Sequence, residues 1–134
     1  MDGVLCNFEK GAIEAINREL SSENPKNPEL AAKVIKDLGR NYVTVDDIQK
    51  FSPGKSSAAT KYMYKLAHDD VDFWANLEWQ PGGKQLWAYI RQFDPDILTS
   101  PMDKQGHNES LEGKLIWVER NLGLNPDRVN FAHD

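Results

Sequence analysis

The sequence predicts an α/β protein: a parallel sheet with crossover helices, interrupted after its first strand by an all-helical insertion. Three observations carry that prediction. Val4 and Leu5 look like the end of a short buried strand next to the turn dipeptide Asp2-Gly3. From Gly11 to His68 the chain reads as helices without strands. Beyond "QPGG" (Gln80–Gly83) helix and strand patterns alternate, as they do when helices connect parallel strands. At 134 residues the chain has room for one domain with a modest core.

Each element has its own signal. Gly11 to Leu20 carries Ile13, Ile16 and Leu20 on one helical face. "SSENPKNP" is a polar, proline-bearing loop, after which Asn27 can cap a helix that begins at Pro28 and ends at Gly39. Leu30, Val34, Ile35 and Leu38 supply its apolar side. "TVDDIQKF" opens a short helix with Thr44 at the cap and Asp47 three residues on, a variant capping box. "SPGK" breaks the chain, and Ser56 to His68 follows as a helix carrying Ala59, Met63 and Leu66. A further helix from Lys84 to Phe93 leads into "DPDILTSPM", where Ile97 and Leu98 form a short strand. The helix around Ser110 to Leu122 places Leu111, Leu115, Val118 and Leu122 on one stripe, with Gly123 as its stop. "RVNFAHD" gives a last strand through Val129 and Phe131.

Composition narrows the function classes. A net charge of −5 argues against wholesale binding to a nucleic acid polymer or an anionic membrane, though a small phosphate site needs only a few donors. No apolar run approaches the length of a membrane span. The single cysteine, Cys6, excludes an internal disulfide framework and fits a reducing, cytoplasmic setting. As a small buried filler it needs no reactive role.

In parallel α/β sheets, ligands bind beyond the carboxyl ends of strands. Two expected strand ends carry polar groups, Asp2-Gly3 and Thr99-Ser100. Gly3 lets the chain turn and lets a ligand approach the backbone, while Thr99 offers a hydroxyl to a phosphate oxygen. Taken singly, Asp-Gly is first of all a turn dipeptide, and Thr-Ser-Pro is an ordinary strand exit.

Together these stretches resemble the haloacid dehalogenase superfamily of phosphotransferases. "MDGVLCNF" looks like the tail of the first motif, Asp-x-Asp-Gly-[Val/Thr]-[Leu], and "DILTSPM" looks like the second. "GKLIWVERNLG" is similar to the following helix in the 5′(3′)-deoxyribonucleotidase branch, as "DFWANLEWQPGGKQLW" (Asp72–Trp87) is to that branch's return from cap to core. The resemblance implies a Rossmann-like core, incomplete, from residues 1–10 and 80–134, with a helical cap over 11–79. It places the nucleophilic Asp one position before Met1, the third-motif lysine at or just beyond Asp134, and two metal-binding acids later still. The stretch is therefore expected to be the middle of a phosphatase, inactive or nearly so by itself.

The chemistry explains the spacing of the two acids. Strand residues i and i+2 point to one side, so both can reach one phosphoryl group. One carboxylate attacks phosphorus to give an aspartyl-phosphate; its neighbour protonates the leaving oxygen and then activates water. The resemblance makes Asp2 that acid/base and its backbone carbonyl a ligand of the Mg²⁺ cofactor. Thr99 would bond a nonbridging phosphate oxygen, with Ser100 as a second donor. Lys114 would stabilise phosphate charge from the edge of its helix's buried stripe; a solvated surface lysine is the ordinary alternative. Phe8, Phe73 and Trp74 could sandwich a base, a contact of about 1–3 kcal/mol, or simply pack the cap onto the core.

Trp79, Trp87 and Trp117 are assigned to packing. His68, His107 and His133 are too scattered for a metal cluster, although His133-Asp134 can rim a pocket. The expected partner is a small phosphate ester, a nucleotide, with neither a nucleic acid polymer nor a membrane. An unpaired sheet edge leaves a homodimer open. Two other readings also stay open: a non-catalytic relative that binds nucleotides or a partner, and a mainly helical interaction module.

Overall fold

Helices hold 66% of the residues described by the computed structural model, which are 1, 3–49, 57–99 and 109–131. In chain order they are α1 (Phe8–Ser21), α2 (Pro28–Leu38), α3 (Val45–Gln49), α4 (Ala58–Asp69), α5 (Val71–Ala75), α6 (Gly83–Ile90) and α7 (Glu109–Leu122). Short 3-10 turns cover Arg91–Phe93 and Pro126–Arg128. Strands β1 (Ile97–Thr99) and β2 (Val129–Phe131) pair in parallel, with Ile97 opposite Val129 and Thr99 opposite Phe131.

This corrects the predicted fold class. A Rossmann-like α/β core is not shown; the described chain is mainly helical with one two-stranded parallel sheet. The expected first strand is a turn. The amides of Val4, Leu5 and Cys6 all donate to the Met1 carbonyl, at 3.3, 2.9 and 3.3 Å. Gly3 sits at φ +74°, a left-handed conformation that glycine adopts without a Cβ penalty. Three amides converging on one carbonyl cannot form a ladder with a neighbouring strand. Val4, expected to be buried, is 52% exposed. Cys6, next in the chain, makes a single bridge, antiparallel to Trp79.

The chain divides into two compact units, Met1–Phe8 with Ala67–Asp134, and Glu9–Leu66. In the second of these, α1 buries Ala12, Ala15, Ile16 and Leu20. The short alanines let neighbouring chain come close while Ile16 and Leu20 fill volume. Pro28 starts α2, and Gly39 ends it at φ +70° with its amide on the Ile35 carbonyl. Ile35 of α2, expected on the apolar side, is exposed. The Asn17 side chain grips Val43 like a strand partner: its Nδ2 donates to the Val43 carbonyl at 3.2 Å and its Oδ1 accepts from the Val43 amide at 2.7 Å. At the start of α3, Asp47 Oδ2 accepts from the Thr44 amide at 2.7 Å and from Arg40 at 2.7 Å, so the variant capping box forms its reach-back half.

In the other unit, the Cys6–Trp79 bridge is flanked by hydrogen bonds from the Asn7 amide to the Glu78 carbonyl and from the Gln80 amide to the Leu5 carbonyl, both 2.8 Å. Gly83 permits this approach, because a Cβ there would stand 2.8 Å from the Leu5 oxygen. Asp70 caps α5 by accepting from the Phe73 amide at 3.1 Å. α5 packs on α7. The three tryptophans assigned to packing lie here: Trp117 and Trp87 are buried, and Trp79 stands edge-on to Trp117 at 5.1 Å between centroids. Trp117 Nε1 donates to the Leu77 carbonyl at 2.7 Å, which satisfies its one polar atom.

Candidate functional site

The end of β1 carries the candidate site. Its burial alternates, so Ile97 and Thr99 face inward while Leu98 is 65% exposed. This alternation turns the Thr99 hydroxyl toward α7. From α7, the Lys114 ammonium donates to Thr99 Oγ1 at 3.2 Å. The same Nζ lies 4.5 Å from the centroid of the Trp74 ring on α5. Two residues singled out by sequence, fifteen positions apart, thus meet in a buried contact.

Lys114 is 1% exposed rather than at the edge of a stripe. The buried side of α7 is Ser110, Gly113, Lys114, Trp117, Val118 and Leu122. Of the expected stripe, Val118 and Leu122 are buried, while Leu111 and Leu115 are half-buried at its edge. Two residues set the rotation. Gly113 faces α5 so closely that an added Cβ would meet Trp74 Cβ and the Val71 carbonyl. Trp117 fills the interior one turn on. A glycine inside a helical pattern costs stability unless packing requires it, and that was the available signal.

A buried ammonium is retained only where partners offset its lost hydration. The Thr99 hydroxyl and the indole face of Trp74 are two such partners, the second through attraction to the ring quadrupole. A hydroxyl that accepts one bond still has its O–H to donate. Ammonium and hydroxyl together make a donor set for an anion.

The other expected residues fall as follows. Asp2 and Ser100 lie outside the described residues, as do His107, His133 and Asp134. Gly3 is exposed, and its amide is used within the turn on the Cys6 carbonyl at 2.9 Å. Phe8, Phe73 and Trp74 do come together: Phe8 is 5.6 Å from Phe73 and 5.3 Å from Trp74, and Phe73 is 5.4 Å from Trp74. Phe73 and Trp74 are buried, leaving Phe8 as the partly exposed ring of the three. His68 lies in the last turn of α4, with its Nδ1 2.7 Å from Asp69 Oδ1, a local polar pair. Cys6 is buried, its thiol 3.7 Å from the Met1 carbonyl.

Among the described residues no group of three or more His, Cys, Asp or Glu could hold a metal ion. The described donor set at the end of β1 does not fit Mg²⁺, which requires oxygen ligands and is repelled by an ammonium. Among the described residues no helix is long and apolar enough to cross a membrane. No family model, curated protein or solved structure matches the chain.

Proposed function

We propose that the chain binds the phosphoryl group of a small phosphate ester, a 5′-nucleotide, and that it belongs to a cytoplasmic phosphomonoester hydrolase of the haloacid dehalogenase type, the stretch by itself being inactive or nearly so. The observation that supports this reading is the contact between Thr99 and Lys114. Motif resemblance points to both residues independently of that contact, and each suits a phosphate oxygen. Lys114 neutralises charge on a nonbridging oxygen. Thr99, which accepts from Lys114, turns its own proton to a second oxygen. Of the three clustered rings, Phe8 is the one with surface left for a base. Hydrolysis through an aspartyl-phosphate, and a Mg²⁺ cofactor, rest on the resemblance alone.

Calorimetric titration with a deoxynucleoside 5′-monophosphate and with the matching nucleoside tests the reading. Binding of the monophosphate, lost when the phosphate is removed, is the expected result. Equal affinity for both ligands refutes it. Rapid release of inorganic phosphate in the same samples would contradict the expected inactivity of the stretch by itself. The mainly helical architecture favours one competitor, a helical interaction module, which binds neither ligand.

A further inference from the structure

A lysine side chain has four rotatable carbons, and in water its ammonium samples many directions. Two of the groups that face the Lys114 ammonium come from different elements. Thr99 at the end of β1 stands 3.2 Å from Nζ, and the ring of Trp74 on α5 stands 4.5 Å from it. The ring is itself held in place: its Nε1 donates to the Ala67 carbonyl at 2.6 Å, and Phe8 and Phe73 pack on it. Gly113 brings α7 close enough for the neighbouring lysine to reach that face. Plain core packing does not require a cation over the ring, since a leucine or methionine stem would fill the same space.

We propose that Trp74 is a positioning residue, whose indole holds the Lys114 ammonium toward Thr99 so that an incoming phosphate meets a cation already aimed. This deepens the anion-site reading and rests on it. In this role Trp74 does not stack on a base. It acts on the ligand only through Lys114, and nucleotide selectivity is left to other residues.

Two variants, Trp74→Phe and Trp74→Leu, test the inference by inorganic phosphate titration and by the NMR shifts of the Lys114 side-chain protons. In the unaltered chain those protons are shifted upfield by the indole ring current. Trp74→Phe keeps an aromatic face with a weaker quadrupole, so part of the upfield shift remains and phosphate binds a few-fold more weakly. Trp74→Leu keeps apolar volume but loses the quadrupole; the shift disappears and affinity falls about 10-fold or more. Unchanged phosphate affinity in a folded Trp74→Leu chain overturns the proposal. Should the leucine variant not fold, Trp74→Phe decides: weakened binding at an unaltered melting temperature supports positioning, and unaltered binding overturns it. Absence of phosphate binding by the parent chain sinks the anion-site reading instead. The Lys114 shifts then judge the positioning geometry alone, an upfield shift lost in Trp74→Leu supporting it and an unshifted lysine overturning it.

Discussion

Replacing Gly113 by alanine sets two effects of opposite sign against each other. In an exposed helix interior the change stabilises by about 1 kcal/mol, because alanine loses less backbone entropy and shields the helix better. In α7 the new Cβ would stand 2.5 Å from the Val71 carbonyl oxygen and would also collide with Trp74 Cβ. Overpacking of a well-filled interior costs about 1–3 kcal/mol. The upper end applies here, since the obstructing atoms are a backbone carbonyl and a Cβ, which no rotamer change moves. α5 is pinned in addition by its Asp70 cap. The net expectation is a loss of about 2 kcal/mol, or a melting temperature lower by about 8 °C for a domain of this size. Thermal unfolding followed by circular dichroism reads this directly, and phosphate titration of the same sample is expected to show weaker binding as α7 shifts Lys114 off the Trp74 ring. A melting temperature equal to or above that of the parent would refute the close α5–α7 approach on which the site depends.

The helical unit offers two further tests. Tyr62 is buried, and its hydroxyl makes no well-formed hydrogen bond among the described residues, with the charge of Glu19 nearby. Tyr62→Phe is therefore expected to leave stability unchanged at neutral pH or raise it by up to about 1 kcal/mol, measured by urea unfolding. Burial first, and the charge of Glu19 second, push the Tyr62 phenol up to about 12 from an ordinary 10.0. Between those pH values the folded chain keeps a proton that the unfolded chain releases. Stability is thus unaffected by this group below pH 10, declines as pH rises toward 12, and loses that decline in Tyr62→Phe. A second perturbation, Asn17→Ala, strands the amide and carbonyl of buried Val43. A loss of about 2 kcal/mol is expected in the same unfolding experiment, and a loss below a few tenths would show that water replaces both bonds.

Local structure was largely legible in the sequence and the fold class was not. Pro28 and Gly39 bracket α2 as expected, and Gly123 stops α7 at φ +67°. Ile97 and Val129 mark two strands that do pair in parallel. These signals are short-range: a fixed φ, a missing donor, a positive φ. The predicted first strand failed because the amides of Val4 and Leu5 are satisfied locally on the Met1 carbonyl and that of Gly3 on the Cys6 carbonyl, and a run of two apolar residues cannot tell a turn from a strand end. Inside α7, the apolar stripe marks the buried Val118 and Leu122 but misses the centre of the face at Gly113, Lys114 and Trp117. Gly113 and Trp117 fix it instead, one by allowing close approach and the other by filling volume. At the site, Thr99 and Lys114 were found from motif resemblance. The role of Trp74 was hidden, because an aromatic that holds a lysine and one that stacks on a base leave the same letter in the sequence.

The most direct test of the account is inorganic phosphate titration of the chain beside its Thr99→Val and Lys114→Met variants, with folding of each checked by circular dichroism. A phosphate complex in the parent that both single changes weaken, and that the double change weakens by less than the sum of the two, is the outcome expected of groups acting on one anion. Equal phosphate affinity in all four proteins, or none in the parent, would contradict it.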